Sequence, residues 1–160
     1  MATPDDNIRL MKSTGRWSLQ TPGHGSYLSH IRAIITDLAR QLGFPEVEVA
    51  KIEMAVDEAC SNVLEHAYAE GKEWTLKQRN PEIGMDIRVE GSRLVIEISD
   101  HGQRFDFTAY RPVTIQENIA QMKEGGYGIS IMRQFMDEVQ YGSNDANGNT
   151  LRLVKYLKKS

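Results

Sequence analysis

Between Met85 and Ile98 apolar and polar residues alternate with a period of two, interrupted once by Gly91-Ser92. Met85, Ile87 and Val89 alternate with Asp86, Arg88 and Glu90, and Leu94, Ile96 and Ile98 resume the pattern after the turn. The segment reads as a β-hairpin with one apolar face. An isolated hairpin does not bury such a face, so a second layer must cover it. Upstream the period changes to that of a helix. Leu28, Ile31, Ile34, Ile35, Leu38 and Leu42 recur at three- and four-residue steps, with Gly43 and Pro45 as the stop. A second helix is expected from about Glu46 to Ala67, with Ile52, Val56, Ala59, Val63 and Ala67 on its apolar stripe. Helices laid over a hairpin sheet give an α+β class, a two-layer α/β sandwich.

The remaining segments fill in that plan. Met1 to Asn7 is polar and contains Pro4, and residues 1–15 are expected to form a loose N-terminal segment, with a single domain over 16–160. Ile8–Met11 and Trp17–Leu19 are strand-like, with Gly15 between them, and Thr21 to Ser26 is a break. Ile129, Ile131, Met132, Phe135 and Met136 mark a helix that begins near Tyr127. Strands follow at about Glu138–Tyr141 and Thr150–Leu157, with a turn through Asn147-Gly148. From Asp100 to Gly128 periodicity is lost, and a stretch of that length in a compact domain is usually functional or mobile.

Composition narrows the class of function. The 160 residues are 40% hydrophobic and 26% charged, which argues against a disordered chain. A net charge of −3 gives no sign of a nucleic-acid binder. One cysteine, Cys60, forms no intramolecular disulfide, which suits a reducing compartment. No apolar run reaches the roughly 18 residues of a membrane span, so the expected location is the cytoplasm, with no membrane partner.

Three features have the residue types for chemistry. At roughly 100° per residue from Ile52, Glu58 and Asn62 fall near 240° and 280°, and His66 near 320°. They form a polar row beside the buried stripe, where a carboxylate is partly desolvated; the competing reading is an ordinary solvated Glu–Asn contact. The second feature is Asp100-His101-Gly102 at a strand end. Such an aspartate can accept from an exocyclic amine, and Gly102 lets a flat ring approach the backbone, although Asp-x-Gly is also a common turn. The third is Glu124-Gly125-Gly126-Tyr127-Gly128 leading into a helix, a phosphate cradle or simply a flexible linker. It is neither a Walker arrangement nor a Rossmann fingerprint.

Taken in order along the chain, these stretches resemble the histidine-kinase-like (GHKL) ATPase superfamily, and most closely its bacterial anti-sigma-factor serine kinases. The likeness rests on Val56-Asp57-Glu58-Ala59-Cys60-Ser61-Asn62 with His66-Ala67-Tyr68, Asp100-His101-Gly102, Gly126-Tyr127-Gly128-Ile129, Phe135-Met136-Asp137-Glu138-Val139, Gly148-Asn149-Thr150-Leu151 and Lys155-Tyr156-Leu157. The resemblance implies a Bergerat-type ATP-binding fold, with a mixed, mostly antiparallel sheet and helices on one face. It implies ATP and Mg²⁺ as cofactors, Glu58 as catalytic base and Asn62 as the Mg²⁺ ligand. Asp100 and Gly102 would read the adenine, Gly126 and Gly128 would surround the phosphates, and Thr150 would supply a hydroxyl near the base. His66 fits the pattern without a chemical role. Arg104 departs from it, standing where many relatives have a second glycine, and Arg111 and Lys123 lie in the glycine-rich stretch without an assignable role.

The implied activity is that of an anti-sigma factor and serine/threonine-protein kinase. Its partners would be a sigma factor and a STAS-domain anti-sigma-factor antagonist, whose Ser or Thr it phosphorylates; relatives of this kind are commonly homodimers. A nucleotide-dependent binding switch without phosphotransfer is the alternative from another class. A sensor histidine kinase would need a helical phosphoacceptor module, and only about 26 residues precede the first helix.

Overall fold

The computed structural model describes residues 8–67, 82–102, 128–144 and 148–158. Strands β1 (Arg9–Ser13) and β2 (Arg16–Pro22) form an N-terminal hairpin, followed by a short 3-10 turn and helices α1 (Leu28–Gln41) and α2 (Glu46–Asn62). Next come β3 (Glu82–Glu90) and β4 (Arg93–Asp100), then α3 (Gly128–Phe135), β5 (Glu138–Asn144) and β6 (Gly148–Tyr156). The strand-like material before Pro22 is thus a hairpin in its own right, turning at Gly15, where φ is +68°.

The six strands form one sheet in the order β1-β2-β3-β4-β6-β5. Every described pairing is antiparallel. The parallel component anticipated in a mixed sheet is absent among the described residues, because each described neighbour pair runs in opposite directions. The central hairpin has the register its alternation dictates, with Met85 opposite Ile98 and Ile87 opposite Ile96. Gly91 alone has a positive φ of +63° in the Gly91-Ser92 turn, the backbone of a II′-type hairpin connection.

One face of the sheet carries Leu19, Ile83, Met85, Ile87, Leu94, Ile96, Ile98 and Leu153. These pack in a single core with Ile31 and Ile35 of α1, Ile52, Val56 and Ala59 of α2, and Ile129 and Met132 of α3. Burying each such side chain contributes on the order of 1.5–3 kcal/mol. The middle helix, α2, packs against both α1 and α3. The opposite sheet face is charged: Arg88 bonds Glu97 (2.9 Å), Glu90 (3.2 Å) and Asp86 (3.3 Å), and Arg16 reaches Asp86. These part-exposed ion pairs flank the buried Val95 and Val154, and among the described residues the helices lie on the other face alone, giving two layers.

Lys155 fastens the helical layer to the sheet. Its side chain is buried, its Nζ donates to the Phe135 carbonyl at the end of α3 (2.6 Å), and it pairs with Glu48 near the start of α2 (2.8 Å). A cation at a helix C-terminus meets the negative end of the helix dipole. One residue of β6 therefore sets where two helices lie.

Candidate functional site

The sequence of α2 places Val49, Ile52, Ala55, Val56, Ala59 and Cys60 in the core, which turns Glu58 and Asn62 to the flank. Both are half-buried, and neither side chain makes a hydrogen bond among the described residues. Four residues apart, they are separated by about 6 Å along the axis. Burial pushes the Glu58 carboxyl above the usual glutamate range, and the negative charges of Asp57 and Glu65 add to the effect. Asp57 itself is tied to Arg32 of α1 at 3.2 Å. A partly desolvated carboxylate with a raised affinity for protons is suited to take a proton from a hydroxyl.

The α-helix does not continue to Ala67 as the periodicity suggests. It gives way after Asn62 to a π-helical turn, Val63–Ala67. Asn62 is thus the last residue with α-helical bonding, at a point where the backbone changes geometry.

Asp100 ends β4 on the same sheet face as Leu94, Ile96 and Ile98, and it is only 6% exposed. Its Oδ1 accepts from the Gly102 backbone N–H (2.8 Å) and from Asn149 Nδ2 (2.8 Å), closing the Asp-x-Gly turn onto β6. Burial raises the Asp100 carboxyl, and these two bonds and His101 offset part of the rise. Both of these bonds fall on Oδ1.

Asn149 is the functional candidate that the sequence did not single out. Asp100 pairs with Asn149 across the β4–β6 ladder, whereas Thr150 pairs with Ser99 and Gly142. Side chains alternate along a strand, so Thr150 lies on the sheet face away from Asp100 and the helices. The residue beside the aspartate is therefore Asn149, with Thr150 one position on and turned to the other face. A polar residue after a glycine in a strand otherwise facing a core was the available signal.

Gly148 explains why that strand can come so close. Its φ is +78°, and a Cβ there would overlap the Asp100 carbonyl oxygen and lie 2.8 Å from His101 Nδ1. Gly128 opens α3. Gly126, Arg104, Arg111 and Lys123 lie outside the described residues. The structure thus yields two groups, Asp100–Gly102–Asn149 on the sheet and Glu58–Asn62 on α2. No hydrogen bond joins them among the described residues. No cluster of three or more His, Cys, Asp or Glu side chains suited to a metal occurs there either. No described helix is long and apolar enough to cross a membrane.

An acidic residue and an asparagine one turn apart on the middle helix, in a chain whose central strand ends in a buried aspartate, define a class. Residues 22–155 match the histidine kinase-like ATPase domain, and the chain belongs to that family. Within it the chain is similar to the serine-protein kinase RsbW of Bacillus subtilis strain 168, at 32% identity over 87% of this chain and 84% of the relative. The serine-protein kinases RsbW of Bacillus pumilus (31%, covering 88% and 85%) and Halalkalibacterium halodurans (29%, covering 88% and 83%) are similar over the same extent.

Proposed function

We propose that this chain is an ATP-dependent protein serine/threonine kinase that also acts as an anti-sigma factor. Its substrate in this reading is a Ser or Thr of a STAS-type antagonist, and its other partner is a sigma factor. The observation that carries the reading is Glu58, a half-buried carboxyl with a raised proton affinity and no hydrogen bond among the described residues, one turn from Asn62.

ATP–Mg²⁺, when bound, supplies the phosphoryl group and the cation that neutralises its charge. The donor set fits: Mg²⁺ keeps several waters and takes phosphate oxygens, so one amide oxygen, that of Asn62, suffices from the protein. Asp100 Oδ2 is the acceptor left for the exocyclic amine of adenine, and Gly102 leaves room for the ring. Glu58 would take the proton of the substrate hydroxyl as that oxygen bonds the γ-phosphorus and the phosphorus–oxygen bond to ADP, the leaving group, breaks. Gly126 and Gly128 belong to this reading as the residues that enclose the phosphates, through backbone N–H groups at a helix start. Because sigma factor and antagonist would compete for one protein, nucleotide state biases which is held.

The test mixes purified chain, ATP–Mg²⁺ and candidate STAS-domain proteins, then maps phosphorylation by mass spectrometry. Phosphoserine or phosphothreonine on one of them is the expected result. Tight nucleotide binding with no transfer to any of them would instead establish a binding switch.

A further inference from the structure

Beside Asp100 lies a second polar group, fully committed, that the kinase reading does not use. Asn149 is 3% exposed. Its Nδ2 donates to Asp100 Oδ1 (2.8 Å) and to the Gly102 carbonyl (3.1 Å), while its Oδ1 accepts from Ser143 Oγ of the edge strand β5 (2.8 Å). A carboxylate and a carbonyl are acceptors only, so the amide has one workable orientation, with nitrogen toward Asp100. Ser143 then completes it from behind. The chain Ser143–Asn149–Asp100 runs across three strands, β5, β6 and β4, and is braced by the sheet ladder on either side.

This arrangement decides which carboxylate oxygen is free. With two donors on Oδ1, the carboxyl is fixed in rotation, and Oδ2 is the oxygen that neither of these donors engages. An N–H donor on a ligand is accepted at that oxygen, and a carbonyl in the same place is repelled. We propose that Asn149 is a positioning residue that sets base specificity, holding Asp100 and the Gly102 turn ready for a 6-amino purine against a 6-oxo purine. The proposal rests on the nucleotide-binding reading above. A threonine in place of Asn149 would have a single hydroxyl hydrogen and could not hold both Asp100 and the Gly102 carbonyl. An asparagine therefore ties the carboxyl and the turn together as one unit.

The experiment measures binding of ATP and of inosine triphosphate by titration calorimetry, for the wild-type chain and for Asn149→Leu, Asn149→Thr and Ser143→Ala. Leucine has nearly the volume of asparagine and no hydrogen-bonding group. The wild type is expected to prefer ATP by at least about 10-fold, since leaving a buried polar group unpaired or opposed costs a few kcal/mol. Asn149→Leu is expected to weaken ATP by about 10- to 100-fold and to bring the ATP/ITP ratio close to one. Loss of packing alone would weaken both nucleotides and leave the ratio unchanged. Circular dichroism establishes that the variant folds; if leucine does not, Asn149→Thr and Ser143→Ala read the same ratio, each with a smaller fall. A folded variant with the wild-type ratio overturns the role of Asn149. A wild type that binds no ATP overturns the nucleotide reading beneath it.

Discussion

Gly148→Ala tests the close approach on which the sheet side of the site depends. Two costs add. An L-residue at φ +78° lies in the left-handed region, costing about 1–2 kcal/mol. The new methyl would overlap the Asp100 carbonyl oxygen and sit 2.8 Å from His101 Nδ1. The carbonyl belongs to the strand backbone and yields only if β4 and β6 part, an overpacking cost of about 1–3 kcal/mol. Together they come to about 3 kcal/mol, a large share of the 5–15 kcal/mol that typically holds a domain. For a chain of this length the midpoint of thermal unfolding falls by about 6–12 °C. Calorimetry gives the midpoint, and nucleotide titration at a temperature where the variant is folded gives the functional cost, since moving the Asp100 carbonyl also moves Asn149. An alanine variant with unchanged midpoint and unchanged ATP affinity would refute the close-approach argument.

Lys155→Met should destabilise by about 2–4 kcal/mol, because it removes the buried cation shared by Glu48 and the end of α3 and leaves Glu48 with Lys51 alone; urea unfolding measures it, and Lys155→Arg should recover part of the loss. The rate of phosphotransfer should fall on the acid side. Glu58 acts only when ionised, and its proton affinity is raised, so the acid limb of kcat/KM should lie above the usual glutamate value of 4.5. Arg32→Ala removes the cation paired with Asp57 and should move that limb higher still. Cys60 is fully buried with its thiol pushed up to about 12, so maleimide at pH 8 should label it only after unfolding in urea.

Much of this architecture was legible in residue order, for physical reasons that also mark where legibility stopped. The hairpin alternation from Met85 to Ile98 has one register that buries an apolar face, and the structure adopts it. Ile52, Val56 and Ala59 repeat at helical spacing because they meet the sheet. The change to a π-turn after Asn62 left no such mark, since apolar spacing is similar in both helices over one turn. Thr150 attracted attention as a hydroxyl on the last strand. Which of two adjacent residues faces Asp100 depends on the pairing of β4 with β6, a contact between strands 49 residues apart. Lys155 was equally silent, because a lysine near a C-terminus reads as solvated until Glu48 and Phe135 are found beside it.

The assignment of Glu58 as base is tested most directly by one comparison. Glu58→Gln keeps the shape of the side chain and removes its capacity to take a proton. ATP affinity and single-turnover phosphotransfer to the antagonist are measured on the same preparation. The expected result is ATP affinity within about 3-fold of wild type and transfer slowed by about 10²- to 10⁴-fold. Transfer at the wild-type rate would contradict the assignment, and the proton would have to leave by another group.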